Sequence, residues 1–379
     1  MRIEQRKWTR IGGWASQAEG DLGESAQLVL VFGATPILRG QILLEEIKER
    51  YPAAHFLGCS SAGEICGTQV SDDSVVSTAM CFEHTRFTGA QVGLSEVEDS
   101  FRAGERLAQS LDPAELVHVL VLSDGLRVNG SDLVRGLTSN LPDTVTITGG
   151  LAGDGERFQE TLVLWDDDPK EHAIAALGFY GNRLRVGYGS LGGWDPFGPE
   201  RLVTGSNENV LYELDGRSAL DLYKRYLGEH ASGLPATGLL FPLSLRMKTG
   251  ETGVVRTILS VDEMEQSMTF AGDVPEGAYV RLMKANFDRL IDGAIGAAET
   301  SHQAMGSTSP DLAVLISCIG RKLVLKQRVE EEVEGVRDIL GDRTIYTGFY
   351  SYGEICPFSV GSRCELHNQT MTITTFLEE

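Results

Sequence analysis

Little in this chain of 379 residues is basic, and nothing in it assembles a familiar catalytic pattern. Lys and Arg number 33 against 54 Asp and Glu, a net charge of −21, and no basic run is longer than Arg321-Lys322. Such a surface repels phosphate backbones and anionic lipid, which argues against nucleic-acid and membrane-surface binding. No apolar stretch approaches the length of a bilayer span, and Met1-Arg-Ile-Glu-Gln-Arg-Lys leads into no apolar targeting segment. A cytoplasmic location is expected. Six cysteines are too few for a disulfide scaffold in a chain this long. No Cys-x-x-Cys occurs, and Cys59 with Cys66 or Cys356 with Cys364 lack the spacing and histidine partners of a zinc site. A Walker A sequence is missing, the Gly-x-Ser-x-Gly spacing is not met at Ser60 or Ser61, and the histidines are dispersed. The enzyme left open is a hydrolase using Ser60, Ser61 or Cys59 with Glu64 or Glu354.

What the chain does have is a repeat. Gly58-Cys-Ser-Ser-Ala-Gly-Glu-Ile-Cys66 returns as Gly348-Phe-Tyr-Ser-Tyr-Gly-Glu-Ile-Cys356. Each closes an apolar run, a charged helical stretch and a second apolar run: residues 28–32, 37–50 and 54–57 in one copy, and 312–316, 329–340 and 344–346 in the other. A weaker copy at residues 118–122, 131–140 and 145–147 ends in Gly149-Gly-Leu-Ala-Gly-Asp154, one residue shorter and with Asp for Glu. Strand, helix and strand of this kind make a βαβ unit with parallel, buried strands. The turns then leave strand carboxyl ends, where open α/β sheets bind ligands. A tight turn with a helix cap is the alternative reading for each. The expected fold is α/β, with two related halves, internal βαβ repeats, mixed sheets and a ligand cleft at strand carboxyl ends between the halves.

Further along, residues 75–82 and 173–180 read as strands, as do 161–164, 238–245 and 254–261. Residues 187–199, holding Trp194, read as a glycine and proline loop, 219–227 as a helix ended by Gly228, 281–301 as one long helix, and 369–376 as a half-buried strand. Arg321, just past a buried strand, is expected to neutralise an acidic turn residue or to clamp an anionic ligand group.

These motifs, with Leu211-Tyr-Glu-Leu-Asp-Gly216, Ser317-Cys-Ile-Gly-Arg321 and Leu366-His-Asn-Gln-Thr370, resemble FIST N followed by FIST C across nearly the whole chain. The resemblance implies a bacterial sensory protein with a FIST N-like domain at 26–185 and a FIST C-like domain at 186–379. It implies binding of a small, amino-acid-like ligand and regulation of a histidine kinase or cyclic-di-GMP enzyme, with no turnover of its own. The ligand-binding residues expected are Cys59, Ser60, Ser61, Gly63, Glu64, Gly150, Gly153, Asp154, Trp194, Arg321, Tyr350, Ser351, Gly353 and Glu354. The haem-containing, nitric-oxide-sensing NosP branch keeps haem as a second ligand, which would require an apolar slot and an axial residue. His55, His84, His118, His172, His230, His302 and His367 are the histidines available. Family members carry Ser-His-Gly before the equivalent of Trp194, where this chain reads Ser190-Leu-Gly-Gly193.

Overall fold

A computed structural model describes residues 1–18, 20–247, 253–357 and 361–379. The apolar runs found in the sequence become the first strands of three repeats. The first repeat is built from β1 (Arg2–Thr9), β2 (Gly13–Ala18), β3 (Leu28–Ala34), α1 (Thr35–Arg39), α2 (Ile42–Arg50), β4 (His55–Ser61), β5 (Glu64–Cys66), β6 (Gln69–Ser71) and β7 (Ser74–Cys81). The second follows as β8 (Arg86–Gly93), α3 (Ser100–Gln109), β9 (Leu116–Ser123), α4 (Gly130–Asn140), β10 (Thr146–Leu151), β11 (Val163–Trp165) and β12 (Ala173–Tyr180). The third opens with β13 (Leu184–Leu191) and is interrupted by an antiparallel module. That module holds β14 (Asp195–Asn207), β15 (Val210–Leu214), β16 (Arg217–Ser218), α5 (Ala219–Leu227), β17 (Leu243–Arg246), β18 (Val254–Arg256), β19 (Ile258–Asp262), β20 (Ser267–Phe270) and β21 (Tyr279–Lys284). The repeat resumes with α6 (Phe287–Ala304), β22 (Leu312–Cys318), α7 (Ile319–Leu325), α8 (Val329–Leu340), β23 (Ile345–Ser351), β24 (Gly353–Pro357), β25 (Cys364–His367) and β26 (Met371–Glu378).

Among the described residues, three six-stranded sheets share one plan: β2-β1-β7-β3-β4-β11, β8-β12-β9-β10-β24-β25 and β13-β26-β22-β23-β5-β6. In each, the first and second strands of a repeat run parallel (β3 with β4, β9 with β10, β22 with β23), and the third lies antiparallel to the first. The strand after each glycine turn then leaves its own sheet. β5 joins β23, β24 joins β10 and β11 joins β4, so each repeat completes another's sheet. Alternate side chains explain where the core sits, because successive residues of a strand face opposite sides. Leu28, Leu30 and Phe32 of β3, Leu120 and Leu122 of β9, and Leu312, Val314 and Ile316 of β22 meet in one cluster shared by the three sheets. The opposite faces are covered by α1 and α2 in the first repeat and by α3, α4, α6 and α8 in the others.

The α/β class, the mixed sheets and the βαβ repeats are those expected from the sequence. Several elements differ. The glycine and proline loop at 187–199 is mostly strand, since β13 runs to Leu191 and β14 begins at Asp195. The helix expected from Arg281 starts at Phe287, because Arg281 to Lys284 belong to β21 and the Asn286 side chain accepts from Arg289 N–H (3.4 Å). Within 238–245 only Leu243 onward is strand, and 254–261 splits into β18 and β19. β26 is buried on both faces: its threonines bond Ser190, Thr148 and Ser301 hydroxyls (2.7 to 2.8 Å), so alternating polarity here marks an interior hydroxyl ladder, not solvent.

Gly58 and Gly348 occupy equivalent positions opposite Val31 and Leu315 on the parallel neighbour, where a Cβ would run into the carbonyl oxygen of that residue. Gly58→Ala and Gly348→Ala are each expected to destabilise the protein by about 1–3 kcal/mol, the usual cost of overpacking. Urea denaturation checks this, and changes within about 0.5 kcal/mol would contradict the close strand approach.

Candidate functional site

Strand register fixes which residues are equivalent. Gly58 lies opposite Val31, Gly348 opposite Leu315 and Gly149 opposite Val121, so Gly63-Glu64 and Gly353-Glu354 hold the same place, and Asp154 falls where Gly63 and Gly353 do. The third turn is one residue shorter, as the sequence suggested: Gly149 stands where Gly58 and Gly348 do, and a Cβ there would run into the Val121 carbonyl oxygen in the same way. All three turns lie at strand carboxyl ends and clasp one another through the backbone. Ala62 N–H donates to Tyr350 O (2.9 Å), Tyr350 N–H to Gly63 O (2.8 Å), Gly153 N–H to Ser60 O (3.1 Å) and Tyr352 N–H to Leu151 O (3.0 Å).

Two turn carboxylates are used alike. Glu64 accepts from the Ser61 hydroxyl and from Ser74 N–H (3.1 Å) and Oγ (2.6 Å) at the start of β7. Glu354 accepts from Ser351 Oγ (2.5 Å) and from Thr370 N–H (3.2 Å) and Oγ1 (2.9 Å) just before β26. Burial pushes Glu64 up to about 7 and Glu354 up to about 8, against the pull of these donors. Asp154, one position earlier, is used differently. It accepts from the N–H groups of Phe158, Gln159 and Glu160 (2.9 to 3.0 Å) and from the Tyr352 hydroxyl, holding the excursion that leads to β11.

Cys59, Ser60, Ser61, Gly63, Glu64, Gly150, Gly153, Asp154, Tyr350, Ser351, Gly353 and Glu354 are thus gathered in or against one enclosed hub. Cys59 is fully buried with its thiol pushed up by desolvation, and Ser60 Oγ accepts from Leu162 N–H (2.9 Å). Trp194 and Arg321 sit one layer out. Trp194 Nε1 donates to Gln369 O (3.1 Å). Arg321 pairs with no turn acid: its Nε and Nη2 donate to Glu332 of α8 (3.1 and 2.8 Å), and Nη1 and Nη2 to Gly192 O and Leu290 O. Glu332 also accepts from Ser317 Oγ (3.1 Å) and Tyr350 Oη (2.7 Å); the partner of Arg321 is a glutamate of the repeat's own helix, which the glycine-turn motif alone did not point to.

The repeats are not equally closed. In the second, Asp124 takes over at the start of the third strand: its Oδ2 accepts from His172 N–H (3.3 Å) and Thr161 Oγ1 (2.9 Å), and its Oδ1 from Leu126 and Arg127 N–H. Next to it, at the carboxyl ends of β8 and β9, opens a cavity of about 810 Å3 lined by Gln91, Gly93, Glu96, Arg127, Lys170 and His172 among others. Register makes Arg127 the counterpart of Arg321, since each stands four residues past the equivalent Ser123 and Ser317. Arg321 is committed to Glu332, Gly192 O and Leu290 O. Arg127 is exposed and its guanidinium has no partner among the described residues. Around it, Glu96 is shared with Arg106 (2.8 Å), Glu171 with Arg39 (2.5 Å), and Lys170 with Asp167 (3.0 Å). His172 holds a left-handed backbone (φ 54°). Sequence reasoning missed Arg127 and Asp124; the signal available was their position after the middle copy's first strand, directly comparable with Arg321-Lys322.

Two apolar cavities, one bounded by Met1, Leu30 and Phe376 and another by Leu214, Tyr223 and Leu282, measure about 10 and 20 Å3, too small for a haem, and two larger clefts carry charged groups in their walls, Asp143 and Arg363 in one and Arg135, Arg256, Asp273 and Glu365 in the other. His118 and His367 are buried, with His118 spending both ring nitrogens on Thr146 and Thr148 and His367 bonding Cys356 O. His172 borders a cavity whose wall is charged. No group of three or more His, Cys, Asp or Glu placed to hold a metal ion occurs among the described residues.

Because the folded chain holds protons on Glu64 and Glu354 that the unfolded chain has released, their stabilising contribution is complete below about pH 4.3 and is lost as pH rises through 7 and 8. His118 and His367, kept neutral by burial, act oppositely below about pH 6.5. The difference in urea midpoint between wild type and Glu64→Gln or Glu354→Gln isolates the carboxyls. That difference is expected to shift in favour of the amide as pH rises from about 5 to 8, and a pH-independent difference would contradict protonated turns.

Comparison with known proteins places the chain. Two uncharacterized proteins of Mycobacterium tuberculosis are each 25% identical over 275 residues, covering 68% of either chain. An uncharacterized protein of Methanocaldococcus jannaschii is 22% identical over 340 residues, 82% of this chain and 62% of its own. Two solved structures align along the full length: a cyanuric acid hydrolase from A. caulinodans (7% identity, TM-score 0.39, 100% of this chain and 99% of its own) and a chorismatase (10%, 0.35, 99% and 98%). Both are enzymes, and the expectation that this chain is not one is corrected on that finding; at such scores neither lends it a substrate or a reaction. Residues 27–217 match the FIST N domain and 219–357 the FIST C domain, so the chain belongs to the FIST family, whose domains sense small ligands in signal transduction.

Proposed function

We propose that this chain is a cytoplasmic sensor that binds an amino-acid-like molecule in the cavity beside β8 and β9 and passes its occupancy to a separate signalling enzyme, a histidine kinase or a cyclic-di-GMP enzyme. The observation that carries the reading is Arg127, a guanidinium without a partner among the described residues, on the wall of a cavity at strand carboxyl ends. A planar guanidinium takes a carboxylate through two parallel hydrogen bonds, which gives orientation as well as affinity. Glu96 and Glu171, each shared with one arginine, are acceptors for an ammonium group on the same ligand.

In this reading the turn residues are the frame that feels the ligand. Arg127 hangs from Asp124, Asp124 binds Thr161, and the next residue, Leu162, donates to Ser60 in the hub. The FIST N-like part at 26–185 and the FIST C-like part at 186–379 are the two bodies between which the signal runs. A tenfold preference of the ligand for one arrangement is worth about 1.4 kcal/mol, within reach of a few polar contacts.

Titration calorimetry with a panel of α-amino acids tests the site. Arg127→Ala is expected to weaken binding by about 1.5–3 kcal/mol, roughly ten- to a hundredfold, while leaving the urea midpoint in place. Unchanged affinity in that variant would remove the cavity from consideration. The ligand is also expected to change the autophosphorylation rate of a kinase that binds this protein, and equal rates with and without it would leave binding but no signal.

A further inference from the structure

An arginine is seldom buried unless a carboxylate is buried with it. Of the two arginines buried among the described residues, Arg321 has Glu332, whereas Arg256 pairs with no carboxylate there. Its hydrogen bonds go to uncharged oxygens: Nε donates to Asp273 O (3.0 Å), Nη1 to Leu366 O (3.0 Å) and Val255 O (3.4 Å), and Nη2 only to Ser131 Oγ, at 3.5 Å. Nη2 therefore has donor capacity to spare. Ser131 Oγ accepts from Asp273 N–H (3.1 Å), and its own hydrogen has no acceptor among the described residues. Both residues line a cleft of about 340 Å3 between α4, β17, β18 and β25. The other charged groups of its wall are engaged or face water: Arg246 holds Glu200 (2.6 Å), Asp273 is held by Asn129 (2.7 Å) and Arg135 (3.4 Å), and Glu365 is exposed. The rest of the wall is mostly aliphatic, from Val134, Leu245, Val254, Pro275 and Leu366.

We propose that this cleft is a second ligand site, taking a monocarboxylate with an apolar body: the carboxylate accepts from Arg256 Nη2 and Ser131 Oγ, and the body lies along the aliphatic wall. One guanidinium edge and one hydroxyl compensate a single negative charge, and Asp273 and Glu365 repel a second, so a carboxylate is favoured over a phosphate dianion. The ligand supplies the counter-charge that the fold omits. Burial strengthens that bond, because little water competes for it. The two donors lie in different domains, Ser131 in FIST N and Arg256 in FIST C, so an occupied cleft ties one to the other. This inference does not depend on what the cavity beside β8 binds.

Titration calorimetry on the full chain tests this with phenylacetate as the probe, beside acetate, which lacks the apolar body, and benzyl alcohol, which lacks the charge. Phenylacetate is expected to bind about tenfold or more tighter than either. Arg256→Gln removes the guanidinium but also frees three backbone carbonyls, so it is measured beside Val254→Glu, which keeps those bonds and sets a carboxylate on the wall. Each is expected to weaken phenylacetate binding about tenfold or more. No binding to wild type, equal affinity for acetate or benzyl alcohol, or a Val254→Glu variant indistinguishable from wild type overturns the proposal, as does tighter binding of inorganic phosphate. Methyl NMR locates the ligand without a substitution: the Val134 and Val254 resonances should move with the calorimetric midpoint, and stationary resonances there while phenylacetate binds overturn the assignment as well.

Discussion

Each glycine turn hands the chain from one sheet to another, and the backbone hydrogen bonds made in that exchange hold the three repeats together. Glu64 to Cys66 leave the first repeat to pair with Phe349 to Thr347, Gly353 to Ile355 pair with Leu151 to Gly149, and Val163 to Trp165 pair with Cys59 to Leu57. None of these strands has a sheet of its own to return to. The shared apolar core of Leu30, Leu122 and Ile316 forms only when all three sheets are closed, so burial and strand exchange support each other.

The exchange has a polar cost at its centre, where three turns bring carboxyl groups together away from water. Buried carboxylates are tolerable when hydrogen bonded or neutral. Glu64 and Glu354 have both a local hydroxyl and the first N–H of a neighbouring strand, and desolvation favours their protonated forms. Glu332 is met differently, by the charge of Arg321 together with two hydroxyls. Removing one member of that pair would leave a buried charge alone, which is far more costly than the pair is stabilising.

The repeated turns could be read from the sequence because glycine is required where a turn's backbone meets another's, and because a charged helix between apolar strands is written in the hydropathy pattern. The Ser-x-x-Glu spacing of Ser61 with Glu64 and Ser351 with Glu354 was visible too, although its partners Ser74 and Thr370 were not, lying on strands that fold back from elsewhere. What stayed hidden depends on how elements distant along the chain pack together. Nothing local in Arg321 names Glu332, and nothing in Gly187 or Gly189 distinguishes a loop glycine from one pressed beneath a helix. Arg127 stands out only by comparison with Arg321, and that comparison needs the register of β9 against β22. The alternation in β26 misled for a related reason: threonine is as content bonded to a buried hydroxyl as to water.

The exchange of strands also bears on how the protein is made. β5 and β6 leave the ribosome well before β22, β23 and β26, which the sheet they complete needs. Contacts this distant in sequence are slow to form, and unpaired edges exposed meanwhile invite misassociation. The first repeat can collapse early around β3, β4 and β7, but one of its hairpins stays unplaced until the third repeat has been made. A sheet built from the first and third repeats makes the native state an all-or-none product of both.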